Sequence, residues 1–149
     1  MKKNIVITFL ACFSFSACAS KPLTDMSLIP STELIAKVLA CGTENGWKLS
    51  VAVVNSEGNL IAFQRADDAF VGSIDLSIAK AKSSNAFRRP TKAFSEGVNG
   101  GNLGLVSVDS VTAIAGGIPI NVSGVHMGAI GVSGATAAQD EQCALAAFK

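Results

Sequence analysis

The sequence predicts an α+β sandwich: an antiparallel sheet with helices laid over it. Three observations lead there. Residues 47–65 and 116–132 each hold two apolar-alternating runs around a short turn, the pattern of a hairpin. Helical patterns stand before, between and after these hairpins. Strands that arrive as hairpins pair antiparallel, which argues against a doubly wound parallel sheet.

The elements follow in order. Pro30-Ser31-Thr32-Glu33 starts a helix whose apolar face is Leu34, Ile35, Val38 and Leu39, and Asn45-Gly46 stops it. A strand over 47–55 alternates Leu49, Val51 and Val53 against Ser50 and Ala52. Ser56-Glu57-Gly58-Asn59 is a turn, and 60–65 returns. Ser73 is the expected cap of a second helix reaching about residue 87, with Ile74, Ile78 and Ala81 on one side and Pro90 as its stop. A brief helical piece at 92–96, a glycine- and asparagine-rich loop at 97–104 and a candidate strand at 112–115 come next. Gly116-Gly117 opens the second hairpin. Ile118, Ile120 and Val122 alternate with Pro119 and Asn121, Ser123-Gly124 turns, and 125–132 returns. Gly128 and Gly131 inside that strand predict close approach of another backbone. Thr136 and Gln139 have capping-box spacing, so a final helix starts there, with Asp140 and Glu141 in its first turn.

The chain has 149 residues, 49% of them hydrophobic and none tyrosine, which suits one domain with an aliphatic core. Its formal charge is +1, and without Lys2 and Lys3 ten basic residues face eleven acidic ones. A near-neutral domain lacks the basic surface that nucleic acid requires. Residues 1–18 read as an export signal: Lys2-Lys3, an apolar run over 5–15 too short to cross a bilayer, then Phe15-Ser16-Ala17-Cys18. That ending resembles a bacterial lipobox, with Phe15 where leucine is usual. It implies acylation at Cys18 and attachment to a membrane through that lipid alone. The alternative is a plain secretory peptide cut after Ala17 or Ala19. Either reading exports the chain, to the periplasm or, lipid-anchored, to the outer membrane. Residues 19–30 are then a tether and 31–149 the domain.

Export changes what the cysteines can do. Cys12 and Cys18 belong to the leader, so Cys41 and Cys143 remain. In an oxidising compartment they can form a disulfide stapling the first helix to the last; the alternative is two buried free thiols.

Several separate motifs resemble one family in the same order: VAVVNSEGNLIAF at 51–63, Gly72-Ser73-Ile74-Asp75, Lys80-Ala81 leading to Phe87-Arg88-Arg89-Pro90-Thr91, Gly116-Gly117-Ile118-Pro119-Ile120, and GAIGVSG at 128–134 before Gln139-Asp140-Glu141. They resemble the GlcG/HbpS proteins, whose domain also occurs at the C-terminus of PduO-type proteins. The likeness covers roughly 31–147. It implies a profilin-like α/β/α sandwich with a central antiparallel sheet of about five strands, assembled into dimers or larger rings. It also implies haem or a related tetrapyrrole as ligand, either bound or oxidatively degraded. A third implied role is that of an accessory or sensor partner without a ligand, acting through its oligomer surface.

Haem needs an apolar slot, a cationic group for its propionates and an axial ligand. Arg88, Arg89 and Lys92 cluster where the second helix ends and suit the propionates; a general preference for cations at helix C-termini explains them equally. Phe87 and Phe94 either wall a macrocycle or belong to the core. His126, the single histidine, is the candidate iron ligand, against the alternative of an exposed strand-end histidine. Met127 is an alternative soft ligand, but its alternation with Val125 and Ala129 points to packing. GxxGxxG at Gly128, Gly131 and Gly134 is neither a dinucleotide fingerprint nor a P-loop, and close backbone packing accounts for it better. A triad of Ser133, His126 and Asp140 within one subunit is excluded if the strand is regular. Seven residues apart on one strand, Ser133 and His126 face opposite ways, about 23 Å apart.

Overall fold

The computed structural model describes residues 25–149, so the proposed leader, Cys18 and most of the tether lie outside the described residues. Helix α1 spans Leu28–Glu44, three residues earlier than Ser31, because Pro30 is tolerated in a first helical turn. The folded unit reaches further back still. Met26 is buried and its N–H donates to the Met127 carbonyl at 3.1 Å, so the end of the expected tether packs with the domain.

Strands β1 (Ser50–Asn55) and β2 (Leu60–Arg65) form the first hairpin, and β3 (Gly117–Val122) and β4 (Val125–Ser133) the second. Antiparallel pairing of β1 with β4 joins them into one four-stranded open sheet, ordered β2-β1-β4-β3. The expected fifth strand at 112–115 does not form. The Thr112 N–H donates to Ser83 Oγ at 2.9 Å, which ties that segment to a helix rather than to the sheet edge. Ser123 and Gly124 both have positive φ, 50° and 80°, as a tight hairpin turn of the right twist demands.

Helices cover both faces, as the α/β/α expectation requires. On one side α1 and α4 (Ala137–Ala146) press on large aliphatics: Leu49, Val51, Val53, Ile118, Ile120, Ile130 and Val132. A Cys41–Cys143 disulfide joins those helices, so the free-thiol alternative falls. Thr136 and Gln139 close the predicted capping box at the start of α4.

The other face is built differently. It shows Ala52, Val54, Ala129 and Gly131, small enough for α2 (Gly72–Phe87) to lie almost on the backbone. A Cβ on Gly131 would run into the Ser77 carbonyl, and one on Gly117 into the Lys80 carbonyl. The buried side of α2 is accordingly Ser73, Ser77, Lys80, Ala81 and Ser84, not the apolar stripe expected from Ile74, Ile78 and Ala81. Ser73 is not a cap. Its hydroxyl lies 2.7 Å from Ser50 Oγ, inside the interface. Helix α3 (Lys92–Asn99) and a 3-10 turn at Leu103–Ser107 occupy most of the region expected to be loop.

Candidate functional site

Close packing of α2 on the sheet leaves its outer side facing the β1–β2 turn, and a cleft of about 600 Å³ opens between them. Ser56, Glu57 and Gly58 line it from the turn, and Ala79, Lys82, Asn85, Ala86 and Arg88 from the helix. Asp109 and Ser110 close one end. The volume lies within the range of small-molecule sites. Ala79, Lys82 and Ala86 recur at helical spacing, so two small side chains form a wall beside a cation.

The predicted basic cluster is not one site. Arg88 terminates α2 in the left-handed region, φ 52°, which turns the chain sharply. Arg88 therefore lines the cleft, whereas the Arg89 guanidinium carbon lies 5.8 Å from the centre of the Phe94 ring. Lys92 pairs with Glu141 at 3.2 Å. Lys82 supplies the second cation of the cleft and was not anticipated. Neither Lys82 nor Arg88 has an ion-pair partner among the described residues. Both stand exposed, together with the carboxylates Glu57 and Asp109.

Phe94 is buried and meets Phe87 edge-on, ring centres 5.2 Å apart, so Phe94 belongs to the core. Phe87 is 36% exposed at its rim and does not line the cleft. His126 lies directly behind the cleft: its Nε2 is 2.7 Å from Asn85 Oδ1 and its Nδ1 3.3 Å from Asn121 Oδ1. Burial holds its pKa below the ordinary 6.5, and nearby Arg88 adds to the effect while Asp25 opposes it. Sequence reasoning missed Asn85, which carries no signal in the sequence because its burial arises only in the fold.

The glycines behave as close-packing sites. A Cβ at Gly128 would strike the Val54 carbonyl, and at Gly134 the Lys48 carbonyl, which leaves no room for a phosphate. Asp140, expected only as a favourable first-turn charge, is buried against Lys80 at 2.7 Å. Lys80 Nζ also donates to the Val132 carbonyl, and the Ala135 N–H donates to Asp140 Oδ1. This pair ties α2 to α4 past the edge of the sheet.

A family model described as "haem degrading protein HbpS-like" matches residues 27–149. The chain belongs to the HbpS-like family. This is the GlcG/HbpS group that the motifs resemble. The chain is 39% identical to protein GlcG of Escherichia coli K12 over 110 residues, 71% of this chain and 82% of GlcG. Its fold is similar to the crystal structure of Klebsiella pneumoniae ORFY, with a TM-score of 0.80, 30% identity and coverage of 87% and 92% of the two chains. It is also similar to PduOC, crystallised as a haem complex: TM-score 0.77, 25% identity, coverage of 83% and 93%.

Proposed function

We propose that this HbpS-like domain binds haem or a related tetrapyrrole in the cleft between α2 and the β1–β2 turn. The observation that carries the reading is Arg88: an exposed guanidinium without an ion-pair partner among the described residues, at the mouth of a cleft of about 600 Å³. Lys82 stands in the same cleft, and Ala79 and Ala86 leave space for a flat ring. These residues fit the carboxylates and girth of such a ligand. They fit the iron less well, because no histidine, cysteine or methionine lines the cleft. The similarity to a protein crystallised with haem supports the ligand class. In this reading Arg88 and Lys82 bind and orient the propionates, whereas Arg89, Lys92 and Phe87 stand outside the cleft.

Titrating hemin into the purified domain tests the proposal. A saturable Soret shift is expected, and Arg88→Ala removes a charged hydrogen-bond donor, about 1.5–3 kcal/mol, or roughly tenfold or more in Kd. A shift equal to that of an unrelated protein, or one indifferent to both Arg88→Ala and Lys82→Ala, sinks it.

The family description favours a second reading, oxidative haem breakdown. Incubating the hemin complex with ascorbate, with catalase as control, separates the two. Protein-dependent loss of the Soret band supports breakdown, and a persistent band supports binding alone.

Export belongs to the same proposal. The leader pattern and Cys18 support it, and so does the Cys41–Cys143 disulfide, a bond at home in oxidising compartments. Assembly into homo-oligomers is the remaining part. The edge of β2, unpaired among the described residues and with Leu60 45% exposed, offers a surface for it.

A further inference from the structure

A chain of side chains behind the cleft wall fixes a hydrogen position. Asn85 is 7% exposed, and its Nδ2 donates to the Ser56 carbonyl at 3.1 Å. A carbonyl only accepts, so the amide orientation follows and Oδ1 must face His126. That oxygen only accepts as well, so His126 Nε2, at 2.7 Å, carries a hydrogen and donates it. In the neutral ring the lone pair then lies on Nδ1, which cannot donate to Asn121 Oδ1 at 3.3 Å across the β3–β4 pair; only the doubly protonated ring makes both contacts. The same turn is held from a second side, where the Ser56 N–H donates to Asp25 Oδ1 at 2.8 Å.

We propose that His126 is a positioning residue for the cleft and not an iron ligand: its Nε2–H orients the Asn85 amide, which pins the Ser56 carbonyl and so sets the spacing between the β1–β2 turn and α2. Two features favour this over ligation. The nitrogen nearest the cleft has its electron pair committed to the ring and its hydrogen committed to Asn85. Between that nitrogen and the cleft stands Asn85 itself, a lining residue. The inference rests on the proposed tetrapyrrole site only for its binding readout; the hydrogen-bond chain belongs to the ligand-free protein.

The experiment has arms of both kinds. Nitrogen-15 spectra of the ligand-free, unmutated domain should show Nε2 protonated and Nδ1 bare at neutral pH. A ring protonated on Nδ1 alone overturns the proposal, whether or not hemin binds. Amide exchange at Ser56 and Gly58 should accelerate roughly tenfold in His126→Ala and in Asn85→Ala, the loss of about one buried hydrogen bond. His126→Gln, which keeps a side-chain N–H donor, should return exchange towards the original rate. Unchanged exchange in both alanine variants overturns the proposal. With hemin, His126→Gln should keep the Soret maximum of the bound form, whereas His126→Ala should weaken binding without moving that maximum. A displaced maximum in His126→Gln identifies an iron ligand and overturns it.

Discussion

Lys80 and Asp140 show how much one buried pair can settle. Lys80 is fully buried, and desolvation drives its pKa down, against the pull of Asp140. Desolvation likewise drives Asp140 up, opposed by Lys80 and by N–H groups of Ala135 and Gly134. Both shifts run towards the neutral forms, so dehydration outweighs attraction. Such a pair specifies geometry more than it stabilises. Asp140→Ala strands a buried ammonium and should cost about 3–5 kcal/mol in urea unfolding. Lys80→Met with Asp140→Leu should cost clearly less than that single change, and equal losses would contradict the account. His126 gives a pH dependence. Its folded-state pKa lies below 6.5, so between that pKa and 6.5 the unfolded chain binds more protons. Stability should therefore rise with pH across that window and fall on acidification through it. His126→Gln should flatten that slope, which thermal unfolding at a series of pH values would measure. Neither side chain's role could be read from the sequence. Lys80 and Asp140 lie 60 positions apart, and each looks locally like an ordinary helical charge.

At the scale of elements, the two faces of the sheet follow different rules. Large aliphatics hold α1 and α4 away from the strands, whereas alanine and glycine let α2 settle onto them. Gly131→Ala should force α2 outwards because its new methyl meets the Ser77 carbonyl. A loss of about 1–3 kcal/mol or more is expected in chemical denaturation. Gly104→Ala, where the added carbon makes ordinary contact 3.6 Å from Asn102 Oδ1, should stay within about 0.5 kcal/mol. The disulfide closes a separation of 102 residues. Replacing both cysteines with serine should lower stability by about 2–5 kcal/mol. Hairpins and the Thr136 capping box were legible because each is a local pattern, whereas the cap expected at Ser73 did not form. The face of α2 was not, because periodicity reasoning seeks apolar side chains and this helix buries serines.

For the whole molecule, the proposed cleft needs contributions from three places: the β1–β2 turn, the outer side of α2 and Asp109-Ser110. Only Arg88 among the expected site residues lines it, since the left-handed turn at that residue sends Arg89 and Lys92 elsewhere. The proposed export gives a prediction at this scale. Expressed with its full leader, the protein should incorporate radiolabelled palmitate and fractionate with membranes. Cys18→Ala should abolish the label, and label retained in that variant would exclude the lipobox reading.

The sequence alone determined the succession of helix and hairpin, the tight turn at Ser123-Gly124, the capping box at Thr136 and the family. Each rests on neighbouring residues or on motif order, and chain geometry fixes those within a few positions. The tertiary structure decided that β1 pairs with β4, that 112–115 leaves the sheet, that Lys80 meets Asp140 and that Asn85 stands between His126 and the cleft. These depend on which distant segments exclude water together, and steric fit and desolvation decide that only once the layers have packed.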